Sequence, residues 1–307
     1  MRDAFAREMT SLAAERTDVT LLSGDIGNRM FDRFKQVAPE RFLNCGIAEA
    51  NMMSLAAGMA LSGLRPVIYT ITPFTTTRCL EQIRVGVAYH QAPVVIVGTG
   101  SGLSYAELGP THHSLEDMAI LRTLPGLNVL APADSAELVA QLREALNSPN
   151  PTYIRIGKKG EPPLHSDAAQ LGIGKANLLR DGADLLVVGV GPILGEALQA
   201  AEAIAAEGCS VAVASLGGVK PLDDAFLKSM AERFPRWLSL EEHGITGGVG
   251  SSLLEWLADR EGQPIRLKRL GVPDVFLHEL GNQSYTRRQL GLDAAGLVQS
   301  FRNAGAV

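Results

Sequence analysis

The chain has 307 residues, 46% of them hydrophobic and 20% charged, an ordinary balance for a globular protein and length enough for two cores. A formal net charge of -5, with basic residues scattered singly, leaves no electrostatic footprint for nucleic acid or an anionic membrane surface. No apolar run reaches the roughly 18 to 20 residues that span a bilayer, Met1-Arg2-Asp3 opens into a charged amphipathic segment rather than a secretory signal, and Cys45, Cys79 and Cys209 stand far apart, so a cytoplasmic chain with reduced, buried thiols is expected.

Short runs of Val, Ile and Leu alternate with longer helical patterns, the signature of βαβ units around a parallel sheet. In chain order, strands are predicted at Thr20–Ser23, Val67–Thr70, Val94–Gly98, Val129–Ala131 and Tyr153–Ile156. Between the first two lies "RFLNCGIAEANMMSLAAGMALSGLRP" (Arg41–Pro66), where Glu49 stands at the entrance of an almost wholly small and apolar helix, Ala50–Leu61, with no basic residue nearby along the chain. "KKGEPPLHSDAAQ" (Lys158–Gln170) is polar, proline-bearing and aperiodic, and reads as a linker. A second series follows, with strands at Asp184–Val190, Ser210–Leu216, Arg236–Glu242 and Ile265–Val272, and helices at Gly195–Gly208 and Gly250–Gly262 closed by glycine. Two doubly wound α/β domains are expected, residues 1–160 and 171–307, joined by a linker at 161–170.

Dinucleotide fingerprints fail on spacing. In "VVIVGTGSGLSY" Leu103 holds the third glycine position, and in "VVGVGPILG" Leu194 does; no acid ends "VAVASL" to hold a ribose. No nucleophile elbow, P-loop or metal-binding helix motif occurs, and no Cys/His/acid cluster surrounds the adjacent His112 and His113, so no metal site is expected on this chain.

Polar residues concentrate instead in four stretches of the first domain, each at a strand end or a helix start, the carboxyl edge where parallel sheets bind ligands. They are "GDIGNRM" (Gly24–Met30), "CGIAEANM" (Cys45–Met52), "TPFTTTRCLEQIR" (Thr72–Arg84) and "GTGSGLSYAELGPTHHSLEDMAILR" (Gly98–Arg122). The last is a glycine-rich loop that is costly to order unless something is bound, although either histidine could cap the next helix or pack under the loop. For Glu49 the bland alternative is an acid that complements the helix dipole; a functional role needs a proton, and dipole and apolar burial pull the acid's pKa in opposite directions.

Together these stretches resemble the C-terminal half of a transketolase, over nearly the whole chain. "RFLNCGIAEANMMSLAAGMALSGLRPV" resembles the family's pyrimidine-domain stretch, "FTTTRCLEQIR" its aromatic segment, "GPTHHSLEDMAILRTLPGLNVLAPAD" its Thr-His-Gln loop, and "EEHGITGGVGSSLLEWLA" the opening of its C-terminal domain. The resemblance implies thiamine diphosphate as cofactor. Glu49 matches the glutamate that hydrogen-bonds a ring nitrogen of the aminopyrimidine, whose imino tautomer removes the thiazolium proton. Phe74 matches the aromatic against the pyrimidine, while Leu80 replaces a residue often aromatic in relatives. His112 matches the histidine facing the donor sugar's hydroxyls, and His113 departs from the usual glutamine. Asp25 corresponds to an aspartate near the cofactor. Arg29 and Lys158 fall near positions that bind a sugar phosphate, Arg29 in place of a small polar residue and Lys158 in place of an arginine.

The family's Gly-Asp-Gly motif, which with a later Asn holds Mg²⁺ and the diphosphate, is missing; "SGDIG" (Ser23–Gly27) comes nearest and lacks the second glycine. The resemblance therefore implies one subunit of a split transketolase, transferring a two-carbon ketol unit from a ketose to an aldose. Its partner would be an N-terminal subunit carrying the diphosphate domain and most of the Mg²⁺ contacts, in an α2β2 heterotetramer. Alternatives are the beta subunit of a 2-oxoacid dehydrogenase, an enzyme like deoxyxylulose-phosphate synthase, or a non-catalytic structural or regulatory subunit. The segment "ELGNQSYTRRQLGLDAAGL" (Glu279–Leu297) departs from the relatives' usual pattern and either touches the partner or closes the second domain.

Overall fold

All nine strands expected from the aliphatic runs form, within two residues of the expected limits. The computed structural model describes residues 1–305 apart from Asn28, Lys159, Asp167, Ala168 and Leu280, so parts of the predicted linker and of Glu279–Leu297 lie outside the described residues. The first half runs α1 (Arg2–Glu15), β1 (Val19–Ser23), α2 (Asp32–Val37), β2 (Phe42–Asn44), α3 (Glu49–Leu61), β3 (Arg65–Ile71), α4 (Thr72–Thr75), β4 (Val95–Thr99), α5 (Asp117–Arg122), β5 (Asn128–Leu130), α6 (Ser135–Asn147) and β6 (Thr152–Ile156). A 3-10 turn at Thr77–Cys79 and a π-helix at Gln82–Tyr89 lie between α4 and β4. The second half runs β7 (Asn177–Arg180), β8 (Leu185–Gly189), α7 (Leu194–Ala205), β9 (Val211–Ser215), β10 (Gly218–Lys220), α8 (Asp224–Arg233), β11 (Arg236–Gly244), α9 (Val249–Asp259), β12 (Arg266–Val272), α10 (Gln283–Gln289) and α11 (Ala294–Asn303).

Seven strands form the first sheet, in the order β10-β5-β6-β4-β3-β1-β2, parallel except at the β10–β5 pair. The second sheet, β12-β11-β8-β9-β7, is parallel except at β7–β9. Both are α/β sheets of the expected kind. The unforeseen strands are β2, β7 and β10, short pieces at sheet edges that carry too few residues for a period to show. One of them crosses between halves: β10 comes from the C-terminal half and closes an edge of the first sheet.

Alternation of side chains along each strand builds two apolar layers on the first sheet. Leu21, Val67, Val95 and Ile154 meet Phe5 and Met9 of α1 and Leu138 and Leu142 of α6. Leu22, Ile68, Ile96 and Tyr153 meet Met52 and Ala56 of α3 and Ile83 and Val87 of the π-helix. This second layer continues without a break through Val219 into Leu186, Val188 and Trp237 of the other half, so the two halves share one core. No helix among the described residues is long and apolar enough to cross a membrane. All three cysteines are free thiols, with Cys79 pushed up to about 12 by burial and the nearby charge of Glu49.

The linker is pinned to α6 by charge. Asp134 caps α6 through the Glu137 amide at 3.0 Å, and its other oxygen accepts the amides of Leu164 and His165 at 2.7 and 2.8 Å. The His165 ring is buried between two carboxylates, Nδ1 3.1 Å from Asp134 Oδ2 and Nε2 3.7 Å from Glu137 Oε1. Ser215, at the end of β9, reaches Glu137 Oε2 at 3.3 Å, so both halves and the linker meet there. Burial pushes the Glu137 carboxyl up to about 7. Burial opposes a charged His165, but the Asp134 hydrogen bond and both carboxylate charges leave the imidazole above its ordinary pKa. Upward shifts contribute stability that is complete below the unfolded pKa values and is lost as pH rises through the folded ones. For Glu137 that window runs from its ordinary 4.5 to about 7. Unfolding free energy should therefore fall by on the order of 2 kcal/mol from pH 5 to 7.5 relative to Glu137→Gln, measured by denaturant titration; parallel curves for the two proteins would refute the assignment.

Candidate active site

At the carboxyl edge of the first sheet the ends of β1, β2 and β3 converge. The Asp25 amide donates to the Gly46 carbonyl at 3.1 Å, and the Asn44 side chain holds both partners, donating to Asp25 Oδ1 at 3.1 Å and accepting the Gly46 amide at 2.9 Å. Gly24 lets the strands close: a Cβ there would stand 2.9 Å from Thr70 Oγ1. The turn delivers Glu49 as the first residue of α3, with no side-chain cap before it and its side chain buried.

β3 runs directly into α4, whose Pro73 suits a helix start. Thr72 Oγ1 ties this turn to the Thr99 carbonyl at the end of β4 (3.1 Å), while Thr75 and Thr76 donate back to the Thr72 carbonyl at 2.9 and 2.8 Å. The buried threonines fix a turn that presents Phe74 outward, half-buried. From the 3-10 turn that follows, Arg78 reaches back over it. Its guanidinium carbon lies 3.9 Å from the Phe74 ring centroid, and Nη1 donates to Glu49 Oε2 at 3.0 Å. The acid that lacked a basic neighbour along the chain thus finds one 29 residues away. Phe74 and Arg78 sit on different elements, α4 and the 3-10 turn at Thr77–Cys79, with Thr76 breaking the helix between them, so no helical spacing announced the contact.

His112 closes the other side. Its ring stands 5.4 Å from Phe74 and 6.0 Å from Tyr105, edge-on to both, and Nδ1 is 3.0 Å from the Thr111 hydroxyl. Burial, then His113 and Arg78, hold the imidazole below its ordinary pKa, so it is neutral at pH 7. His113 goes elsewhere: buried, with Nε2 3.1 Å from the Ala106 carbonyl, it packs under its own loop. Lys158 joins the His112 side, with Nζ 4.4 Å above the Tyr105 ring and 3.1 Å from Glu107 Oε1. Asp25 and Arg29 are both exposed and line a separate open cleft with Asn44 and Lys35.

The glycine-rich loop is ordered by the second half of the chain. Glu242, at the end of β11, accepts the Leu103 amide at 2.7 Å and Gln283 Nε2 at 2.8 Å, and pairs with Arg287. Arg155 Nη2 donates at 2.8 Å to the carbonyls of both Ser114 and Glu242, while its Nε and the Tyr153 hydroxyl hold Asp117 Oδ2 at 2.8 and 2.6 Å. Gln283 and Arg287 lie in the segment whose role the sequence left undecided; these two residues serve the junction within the chain. Among the described residues no group of three or more His, Cys, Asp or Glu could hold a metal ion.

Residues 1–161 match the model of the transketolase pyrimidine binding domain, and residues 174–297 that of the transketolase C-terminal domain. The chain belongs to the transketolase family. One of the subunits of the apulose-4-phosphate transketolase of Phocaeicola vulgatus is 32% identical over 301 residues, 97% of this chain and 95% of that protein. A solved split gene transketolase, an inactive beta4 tetramer, has a TM-score of 0.90 at 32% identity, covering 99% of this chain and 97% of its own. The 1-deoxy-D-xylulose-5-phosphate synthase 1 of Geobacter sulfurreducens is 35% identical over 299 residues, 96% of this chain but 45% of that enzyme. This chain is a transketolase-type subunit, from a family whose transfer chemistry depends on thiamine.

The loop that carries His112 depends on the seat of Gly102, whose φ is +63° and where a Cβ would stand 2.5 Å from Glu242 Oε1. Gly208 has a similar φ of +86° with nothing within 4 Å. Gly102→Ala should cost roughly 2 kcal/mol more than Gly208→Ala in thermal or chemical unfolding, and equal costs would mean that Glu242 does not hold the loop.

Proposed function

We propose that this chain is the pyrimidine-binding half of a split transketolase that moves a two-carbon ketol unit from a ketose to an aldose. The observation that carries the proposal is the juxtaposition of the buried Glu49 carboxyl, the Phe74 face and the His112 imidazole, with a flat N–H-bearing group already lying between the first two. A carboxyl at the edge and an aromatic ring at the face are what a planar aminopyrimidine needs, so these residues fit thiamine diphosphate. When bound, that cofactor supplies the nucleophilic carbon and the electron sink for carbon–carbon cleavage.

Glu49 would hydrogen-bond the pyrimidine edge, held rigidly by its place at the start of α3, while Phe74 stacks on the ring. His112, neutral at pH 7, would accept a proton from a sugar hydroxyl at Nε2 and return it, oriented through Nδ1 by Thr111. His113 would hold the loop in place for its neighbour. Lys158 would meet an anionic group on the sugar, with Glu107 as the counter-ion to be displaced. Asp25 would approach the cofactor through the turn it shares with Gly46, and Arg29 would meet an anion only by way of the separate cleft that it lines. The matched domains are the pyrimidine-binding and C-terminal ones, which supports a partner chain carrying the diphosphate domain and the Mg²⁺, in an α2β2 assembly. The three free thiols fit a reducing compartment, the cytoplasm.

Calorimetry with thiamine diphosphate and Mg²⁺, on this chain alone and mixed with the partner subunit, is the test. Binding only in the mixture is expected; tight binding by the isolated chain would overturn the split site. In the mixture, Glu49→Gln should lower kcat by on the order of 10²- to 10⁴-fold; unchanged activity would instead mark a non-catalytic subunit. The identity to a 1-deoxy-D-xylulose-5-phosphate synthase favours a second reading, which CO₂ release from pyruvate would reveal.

A further inference from the structure

Arg78 stands where another group is wanted. Its guanidinium is a planar cation that donates along its edge to Glu49 at 3.0 Å and lies flat on Phe74 at 3.9 Å. These are the two partners that an aminopyrimidine requires, and a ring that takes both must displace the guanidinium. Arg78 has somewhere to go. Its side chain is already 46% exposed, it follows the exposed Thr77 in a 3-10 turn, and rotation about its long stem needs no backbone change. Glu49 constrains the exchange from the other side. Among the described residues Arg78 is the cation within ion-pairing distance of a carboxyl that is only 6% exposed, and a buried carboxylate left bare is costly. The guanidinium therefore leaves when a ligand arrives whose ring nitrogen shares a proton with the carboxyl, so that Glu49 is not left as a bare carboxylate, and otherwise stays.

We propose that Arg78 is a gate on the cofactor site: in the free subunit it occupies the carboxylate edge and aromatic face that the pyrimidine takes, and it swings into water when the cofactor enters. The inference rests on the roles given above to Glu49 and Phe74. The ion pair is half-exposed and the stacking modest, so the guanidinium competes with the cofactor without excluding it. Its departure also withdraws a positive charge from His112, one of the causes that hold that imidazole's pKa down.

Binding of thiamine diphosphate with Mg²⁺ to the assembled two-subunit enzyme, followed by calorimetry for affinity and stopped-flow circular dichroism for rate, tests the gate without relying on turnover. Arg78→Ala should bind roughly three- to thirtyfold more tightly and associate faster, with Arg78→Lys, which keeps the charge and loses the flat face, in between. In a Glu49→Gln background, where no carboxylate is left uncompensated, the gain from Arg78→Ala should shrink; a gain of the same size there would show that the arginine does not act through Glu49 and would overturn the gate. Affinity unchanged or weakened in Arg78→Ala would also overturn it while leaving the function standing. No binding by the unaltered complex would overturn the function itself, and the gate with it.

Discussion

Glu242 reaches from the second sheet into the turn that precedes His112, and the site is built around that reach. One carboxylate gathers a backbone amide from the loop and two side chains from α10, while its own carbonyl receives Arg155 from the first sheet. Arg155 in turn is neutralised by Asp117, whose carboxyl burial alone would raise but which Arg155 and His243 hold below the ordinary range. Charges this deeply buried are held only where nearly every donor and acceptor is matched, so the network defines one geometry more than it adds stability. A loop rich in glycine, which would otherwise sample many conformations, is thereby tied to both sheets.

The same dependence explains what could be read in the sequence. β1, β3, β4, β6, β8, β9 and β11 are central strands, buried on both faces, and their aliphatic runs are visible in isolation. β2, β7 and β10 are three- or four-residue edges whose pairing partners decide their existence, and no local signal distinguishes them from loop. Glu49, Phe74 and His112 stand out in the sequence because each sits in a stretch of unusual composition at a strand end, and because those stretches resemble the family's in order and separation. Contacts across the chain were beyond reach. The separations of 29 positions from Glu49 to Arg78, and of 139 from Leu103 to Glu242, are spanned only by the folded sheets.

The loop histidines illustrate the limit more closely. Adjacent in sequence, they could not be told apart by type, and either could have been the packed one. Backbone direction separates them: both amides donate to the Gly109 carbonyl, yet His113 turns inward to Ala106 while His112 faces two aromatic rings. A turn that tight assigns opposite environments to neighbouring side chains, and only the φ of +77° at Gly109 makes it possible.

The strand borrowed from the C-terminal half changes how the protein must be made. Until Gly218–Lys220 leaves the ribosome, β5 presents an unpaired row of backbone donors and acceptors at the rim of the first sheet, and the apolar layer beneath Val129 waits for Val219. The N-terminal half is therefore born with an open, adhesive border and acquires its finished edge some sixty residues after its own last strand, β6. Biogenesis is a race between that late strand and any foreign one, so a chain truncated near the linker is a template for aggregation where a self-contained domain would have been released.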